Sequence, residues 1–287
     1  MFRKSRYINV EGRLIDFRTP RIMGVINATP DSFYSGSCLT DEKEILETAR
    51  KMLSDGADFI DVGGYSSRPG AENITAEEEK KRVLPAIKVI SESFPDAIIS
   101  VDTFRAEVAY EAIISCGAHI INDISGGELD EEMFPLVAKL NVPYIMMHMK
   151  GTPASMQNNP VYEDVVAEIL MWMGEKIVTL QSAGVKDIII DPGIGFGKTA
   201  EHNFEILRRL SEFSITGLPL LVGVSRKSVI WKTLGITPDE SLNGTTVLNT
   251  IALLNGADII RVHDVKEAIQ TRDLVLRIKE EEKILLL

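Results

Sequence analysis

Short apolar runs recur along the chain, and stretches with a helical spacing of apolar residues separate them. An apolar run without polar alternation is typical of a strand that is buried on both faces of a parallel sheet. The sequence predicts eight such strands and, before them, a short β-hairpin over residues 7–16. The predicted strands cover residues 22–26, 59–62, 98–101, 120–124, 142–147, 188–190, 220–224 and 259–262.

The segments between the strands predict amphipathic helices, for example over residues 41–54 and 76–93, where apolar residues recur every three or four positions. Glycine follows several helical segments just before the next strand, as expected for a helix C-terminal cap. Eight strand–helix units of one kind favour a closed (β/α)8 barrel over an open doubly wound sheet, in a single domain over residues 1–287. The capping glycines are Gly56, Gly117, Gly184 and Gly256.

Polar residues stand at the ends of the predicted strands almost without exception. In a barrel of parallel strands all carboxyl ends meet at one rim, where active sites are built. One polar residue at such a position fits a helix cap as well as a functional role. Polar ends on all eight strands together predict a shared ligand site. The residues are Asn27, Asp61, Asp102, Asn122, Asp123, His148, Asp191, Ser225, Arg226, Lys227, Arg261 and His263.

The segment 186–199, KDIIIDPGIGFGKT, carries the most specific pattern. Three isoleucines lead to Asp191, Pro192 prevents the strand from continuing, and three glycines alternate with larger residues before Lys198. The pattern predicts a carboxylate at the start of a glycine loop on the rim of an active site. A phosphate-binding Walker A loop is the alternative, but that motif requires glycine at the position of Pro192.

Composition limits the possible functions. The chain has 287 residues, of which 45% are hydrophobic, and a net charge of -11 that argues against nucleic-acid binding. No apolar run reaches the roughly 20 residues of a membrane span, and residues 1–20 lack the apolar run of a signal peptide. Cys38 and Cys116 have neither metal-ligand nor disulfide-framework spacing, so we expect a cytoplasmic protein. An anionic ligand would need a local cluster of cations.

Eight motifs in order resemble the successive signatures of the dihydropteroate synthase family, which has a TIM-barrel fold. They run from about Met23 to Val265: NATPDSF, GGYSSRPGA, SVDTFR, NDISGG, MHMKGTP, DPGIGFGK, GVSRKS and RVHDV. The resemblance implies a transferase that joins 6-hydroxymethyl-7,8-dihydropterin pyrophosphate to 4-aminobenzoate in folate biosynthesis. The chain departs from the family at Tyr65, where glutamate is usual, and at Ser67, where threonine is usual.

The resemblance implies a pterin site inside the barrel mouth. The pterin edge presents adjacent N–H donors, which the carboxylate of Asp191 can accept side by side. Asn122 and Asp102 would bind further ring atoms, and Lys227 would donate to the ring carbonyl and N5. His148 is more readily explained as a structural histidine at a strand end than as a catalytic one. The implied pterin-binding residues are Asp102, Asn122, Met147, Asp191, Phe196, Gly223 and Lys227.

The resemblance also implies sites for the leaving group and the second substrate. Asn27, Arg261 and His263 would bind pyrophosphate, with Asn27 as a ligand of the cofactor Mg²⁺. Displacement would be dissociative, without a nucleophilic side chain, and the catalytic residues would be Asp102, Lys227, Arg261 and His263. The family is commonly homodimeric, and no nucleic acid or membrane partner is implied. The implied 4-aminobenzoate-binding residues are Ser67, Arg68, Pro69, Ser225 and Lys227.

Two other functions fit part of the pattern. A methyltetrahydrofolate-binding methyltransferase barrel would share the pterin slot, but it would not need Arg68, Lys227 and Arg261 to receive anions. A non-catalytic pterin-binding barrel is the second alternative, and Tyr65 would be a reason for lost activity. Steady-state release of pyrophosphate distinguishes both from the synthase.

Overall fold

The computed structural model describes residues 7–28, 41–66, 73–153, 156 and 160–284. It begins with the predicted hairpin, in which β1 (Tyr7–Val10) pairs antiparallel with β2 (Arg13–Asp16). Ile8 and Val10 of the hairpin and Phe17 after it are buried in one cluster with residues from the barrel strands. The hairpin therefore packs against the amino-terminal end of the barrel, opposite the rim of polar strand ends.

Eight parallel strands form the barrel and confirm the predicted fold class. Their order in the sheet is β8-β7-β6-β5-β4-β3-β10-β9, and a parallel bridge between Ile190 and Leu220 closes the ring. The strands are β3 (Arg21–Asn27), β4 (Phe59–Gly63), β5 (Ile99–Asp102), β6 (Ile120–Asp123), β7 (Tyr144–Met147), β8 (Ile188–Asp191), β9 (Leu221–Val222) and β10 (Ile259–Val262).

Two strands are shorter by two residues or more than the apolar runs that predicted them, and β6 is shorter by one. β7 begins at Tyr144 rather than at residue 142, because Pro143 has no N–H for the ladder. β9 covers only Leu221–Val222 of the predicted residues 220–224, since Pro219 precedes it and Gly223 follows it. Both differences leave the polar strand ends where the sequence predicted them.

Helices surround the barrel, and the four predicted capping glycines all have positive φ, which glycine adopts without a Cβ clash. Asp41, Thr75, Asp164 and Thr199 cap helix N-termini with their side chains. No helix in the described ranges is long and apolar enough to cross a membrane. The α-helices are α1 (Glu42–Ser54), α2 (Ala76–Ser93), α3 (Ala106–Cys116), α4 (Met133–Leu140), α5 (Val165–Ser182), α6 (Ala200–Arg208), α7 (Ser228–Leu234), α8 (Leu242–Leu254) and α9 (Val265–Ile284), with 3-10 helices at Leu210–Thr216 and Asp239–Ser241.

The barrel interior is apolar at one end and polar at the other. The cluster that includes the hairpin fills the lower layer with one inward residue from each strand. Side chains two positions further along a strand face the same side. The next inward layer is formed by Val25, Asp61, Ser100, Asn122, Met147, Asp191, Gly223 and Arg261. This layer places most of the predicted pterin residues in one plane below the rim.

Candidate active site

Arg261 is the centre of a charge network that spans the barrel. Its Nε donates to Asp61 Oδ2 at 2.7 Å and its Nη2 donates to Asp102 Oδ2 at 2.6 Å. Asn122 Nδ2 donates to the same oxygen of Asp61 at 3.0 Å. The structure thus brings three predicted site residues together with Asp61, which the sequence placed among the polar strand ends of a shared ligand site but to which it assigned no role. Its signal was a carboxylate inside the apolar run FIDVG.

Burial governs the ionisation of this network. It raises the pKa of Asp102 to about 7, with Arg261 opposing the rise and Asp61, Glu79 and Asp123 adding to it. Burial also disfavours charge on Arg261, but Asp61 and Asp102 together outweigh it and raise the pKa of the guanidinium. Arg261 therefore stays positively charged, while Asp102 can change its charge near neutral pH.

Asp191 is the last residue of β8, and the glycine loop, residues 192–197, follows it directly. It is 5% exposed, and its Oδ1 accepts from Gly193 N at 2.7 Å. A Cβ at Gly193 would lie 1.9 Å from His148 O, so only glycine lets the loop return this closely to the strand end. Burial raises the pKa of Asp191, and Lys227, Lys198 and Arg261 oppose this. The predicted carboxylate in a glycine loop is therefore present.

Lys227 faces Asp191 across the mouth. Its Nζ donates to Ile194 O at 2.6 Å and lies 4.8 Å from the centre of the Phe196 ring. A Cβ at Gly223 would lie 3.6 Å from Lys227 Nζ, so the missing side chain leaves room beside the amine. Burial lowers the pKa of Lys227 to about 8, against the attraction of Asp191.

An apolar wall borders this site. Ile124, Met147, Met149 and Met156 form a buried cluster, and Phe104 and Phe196 pack against it. Met147 is 3% exposed, and it joins the inward layer beside Asn122 and Asp191. Met147 and Phe196, which the resemblance implies as pterin-binding residues, both belong to this wall, and an apolar surface of this kind can pack against an aromatic ring.

Ser225 and His263 lie together next to Arg261. Ser225 Oγ is 2.9 Å from His263 Nδ1, and it accepts from His263 N at 3.2 Å. Burial, together with Arg261, lowers the pKa of His263 to about 4, so the imidazole is neutral at pH 7. If the serine hydroxyl donates to Nδ1, Nε2 carries the proton and can donate to a ligand.

The other predicted residues differ in their surroundings. Asn27 ends β3 at the same rim and is partly buried. Asp123 binds its own loop and strand neighbour instead of the barrel mouth, through Ser125, Gly127 N and Tyr144 OH. His148 is buried against Lys198. Ser67, Arg68 and Pro69 lie outside the described residues. Within the described part of the chain, no three His, Cys, Asp or Glu side chains group as a metal site.

Tyr65, where the chain departs from the resemblance, packs between the second and third rim loops. Its ring meets the Phe104 ring edge-on, with centroids 5.0 Å apart, and the Arg105 guanidinium lies 5.5 Å from its centre. Arg105 forms an ion pair with Glu79, which is fully buried in α2. An aromatic stack therefore connects the loop that begins at Gly64 with the loop that follows β5.

The chain was compared with known proteins and structures. The profile of the family described as pterin binding enzyme matches residues 23–263. The dihydropteroate synthase of Escherichia coli (strain K12) is 43% identical over 268 residues, which cover 92% of this chain and 94% of the relative.

Solved structures agree with the sequence comparison. A Yersinia pestis dihydropteroate synthase in complex with a sulfonamide drug matches with a TM-score of 0.92 at 39% identity, over 96% of this chain and 99% of that chain. The Thermus thermophilus dihydropteroate synthase in complex with 4-aminobenzoate matches with a TM-score of 0.85 at 37% identity, over 95% and 99%. Family profile, relatives and fold agree with the eight sequence motifs, and the chain therefore belongs to the pterin binding enzymes and, among them, to the dihydropteroate synthases, which are transferases.

Proposed function

We propose that this protein condenses 6-hydroxymethyl-7,8-dihydropterin pyrophosphate with 4-aminobenzoate and releases pyrophosphate, by a dissociative displacement in folate biosynthesis. The observation that carries the proposal is the buried layer that contains Asp191 and the network of Asp61, Asn122 and Arg261, with the amine of Lys227 facing it from the start of α7. This layer combines acceptors for an aminopyrimidinone edge with a permanent cation for the leaving group.

The pterin edge would bind to the acceptors of this layer. Asp191 would accept two adjacent N–H groups, and Asn122 and Asp102 would bind the ring nitrogens on the other side. Lys227 would donate to the ring carbonyl and N5 while Met147 and Phe196 cover the ring faces. The carboxylates are buried, so water does not satisfy them inside the barrel. Each hydrogen bond from the pterin therefore gives a partner to an acceptor that water does not reach.

The diphosphate would bind to Arg261 and neutral His263. The ion pairs with Asp61 and Asp102 use only part of the guanidinium N–H groups, so Arg261 can bind phosphate oxygens without leaving the carboxylates. Asn27 would hold Mg²⁺ at the end of β3, because this ion keeps most of its waters and needs few protein oxygens. When bound, the ion supplies positive charge to the phosphate oxygens. A single amide oxygen at the rim, without a cluster of acidic ligands in the described residues, fits this mode of binding.

The chemical step needs no nucleophilic side chain. The carbon–oxygen bond to pyrophosphate breaks, its electron pair leaves with the diphosphate, and positive charge spreads into the pterin ring. Arg261 and His263 stabilise the departing anion, and the carboxylates of Asp102 and Asp191 stabilise the cation. The amine of 4-aminobenzoate then forms the new carbon–nitrogen bond and loses a proton.

The second substrate would approach from the rim. Ser225 and Lys227 lie at this edge, and Ser67, Arg68 and Pro69 of the second rim loop would complete the site for the carboxylate. The relative from Thermus thermophilus supports 4-aminobenzoate as the second substrate, because its structure contains this molecule.

Release of pyrophosphate tests the proposed function. The wild-type protein with both substrates should release pyrophosphate continuously, and either substrate alone should give none. Lys227→Met should abolish turnover and remain folded. A methyltransferase or a non-catalytic pterin-binding barrel would show pterin binding without any release, and this outcome would contradict the proposal.

We also propose a homodimer, formed through the outward face of α8. Val247 and Leu254 are seven residues apart along this helix, which places them on one face, and they are 50% and 45% exposed. A solvent-exposed apolar stripe is typical of an interface between subunits. Sedimentation should show a dimer for the wild type and a monomer for Val247→Glu, and a monomeric wild type would exclude this interface.

A further inference from the structure

Lys198 is a buried lysine that the condensation does not use. Only 3% of the residue is exposed, and its Nζ donates to Phe196 O at 2.8 Å and to His148 O at 3.2 Å. The same amine lies 3.0 Å from His148 Nδ1. An ammonium has three donors and no acceptor, so these three partners satisfy it completely when His148 carries its proton on Nε2.

These contacts join two loops of the barrel rim. His148 follows β7, and its backbone N–H donates to Asp191 O at 3.0 Å, whereas Phe196 belongs to the glycine loop. The two backbones are in contact at Gly193, beside His148 O. Lys198 therefore ties Phe196, near the end of the glycine loop, to His148. The backbone of His148 is in turn hydrogen-bonded to Asp191, just before the loop begins.

The glycine loop in turn contacts Lys227. Ile194 O accepts from Lys227 Nζ at 2.6 Å, and the Phe196 ring lies 4.8 Å from the same amine. The outer side of the loop has its own supports, since Gly195 N donates to Asn203 Oδ1 and the Tyr162 hydroxyl donates to Gly197 O. The side chain of Lys198 binds the carbonyl of Phe196. Phe196 lies between the residues held by these outer supports, Gly195 and Gly197, and its ring contacts Lys227.

We propose that Lys198 is a positioning residue of the pterin site: its hydrogen bonds to Phe196 O and His148 hold the glycine loop in the conformation that presents Ile194 O and the Phe196 ring to Lys227. Burial lowers the pKa of Lys198 well below the ordinary lysine value, because burying the charge is less favourable than burying an apolar chain of the same length, so packing alone does not explain a lysine here. The inference depends on the proposed function only for the identity of the ligand, because the arrangement around Lys227 exists in the free protein.

The first experiment needs no ligand. Trace labelling of the folded protein with acetic anhydride, followed across pH by mass spectrometry of the peptide containing Lys227, measures the pKa of this amine. Burial lowers that pKa to about 8 in the wild type. In Lys198→Met the loosened loop should admit water, and the midpoint should rise by about one pH unit or more toward the ordinary lysine value.

Two variants separate positioning from a direct charge effect. His148→Phe removes the Nδ1 acceptor without changing the charge of a neutral histidine, and it keeps a ring against Trp172. It should shift the Lys227 midpoint in the same direction by a smaller amount. Lys150→Met is the matched control, because Lys150 is a neighbouring lysine whose side chain is 46% exposed and binds Val161 O and Glu168. It should leave the midpoint unchanged.

The second experiment measures calorimetrically the affinity for 6-hydroxymethylpterin, which lacks phosphates. Lys198→Met should weaken binding about 10- to 100-fold, the range expected when hydrogen bonds to a charged group are lost, and Lys150→Met should stay within about twofold. An unchanged Lys227 midpoint and pterin affinity in folded Lys198→Met would overturn the proposal. If the wild type fails to bind pterin, the proposed function fails, and the labelling comparison still decides the role of Lys198. If Lys198→Met does not fold, His148→Phe decides by the same two measurements.

Discussion

Replacement of Arg261 by methionine tests the charge network at the centre of the barrel. Arg261 is paired with Asp61, which is fully buried, and with Asp102, whose side chain is 21% exposed. Methionine keeps most of the apolar length of the side chain but removes both ion pairs. We expect the free energy of unfolding of the ligand-free protein to fall because two carboxylates lose their counter-ion.

The size of the loss follows from burial. Removal of one partner from a buried ion pair costs about 3–5 kcal/mol, since the other charge stays in a low-dielectric interior. Asp61 belongs to this class, and its Oδ1 already has no hydrogen-bond partner within the described part of the chain. Asp102 is partly exposed, and solvent screening reduces its share. The expected loss for Arg261→Met is therefore about 3–5 kcal/mol at pH 8, mostly from Asp61.

The loss should depend on pH through Asp102. In the folded wild type the pKa of Asp102 is raised to about 7, above its value of about 3.9 in an unfolded chain. Between these two values the folded state binds more protons, so this group lowers stability as pH rises. Without Arg261, which opposes the rise, the folded pKa moves higher still. The loss caused by Arg261→Met should thus be smaller at pH 5 than at pH 8.

Urea unfolding of the ligand-free protein at both pH values measures these effects. Arg82→Met is the control, because Arg82 pairs with Glu78 on the surface of α2 and its removal should cost about 1 kcal/mol or less. The double variant Arg261→Met with Asp61→Asn should recover part of the loss, since an amide can still accept from Asn122. A loss for Arg261→Met no larger than for Arg82→Met, or no recovery in the double variant, would refute the network as a determinant of stability.

Three further predictions concern ligand binding. Asp191→Asn should weaken pterin binding by about 2–5 kcal/mol, because the amide turns a donor toward the donors of the pterin, and near wild-type affinity in calorimetry would contradict the assignment. Affinity for a pterin without phosphates should decrease as pH rises above about 8, where Lys227 loses its proton, and a profile with the same midpoint in Lys227→Met would assign the titration to another group. Tyr65→Ala should raise KM for 4-aminobenzoate about three- to tenfold while Tyr65→Phe stays near wild type, because the ring stack with Phe104 and Arg105 adjoins the segment that carries Ser67 and Arg68; equal KM values in steady-state assays would exclude this role.

The sequence was sufficient to predict the barrel because each strand is a short apolar run that ends in a polar residue. It could not distinguish polar residues that bind ligands from those that stabilise loops, since both kinds stand at strand ends. Asn122 and Asp123 illustrate this. Asn122 faces the barrel and bonds to Asp61, while the adjacent Asp123 faces outward and bonds to Tyr144. Side chains alternate between the two faces of a strand, so the sequence shows which residues share a face. Which of the two faces points into the barrel is known only once one inward residue has been identified.

The second feature that the sequence did not predict is which charged residues pair with each other. Arg261 and Asp61 are 200 positions apart, and their contact depends on the register of β10 against β3 and of β3 against β4. The sequence predicted Arg261 as a receiver of phosphate alone. In the structure it also neutralises the acid layer of the barrel, so a loss of pyrophosphate binding in an Arg261 variant has to be separated from a loss of folding.

We expect this dual position of Arg261 to couple the two halves of the donor substrate. Asp102 would bind the pterin ring, and its carboxylate also accepts from Arg261 Nη2. A pterin that donates to Asp102 weakens the ion pair between Asp102 and Arg261. More of the positive charge of Arg261 is then available to the phosphate oxygens. A diphosphate bound to Arg261 and His263 weakens the same ion pair from the side of the guanidinium and makes Asp102 a better acceptor for the ring. Pterin and pyrophosphate should therefore bind cooperatively as separate molecules, because each removes part of the interaction that competes with the other.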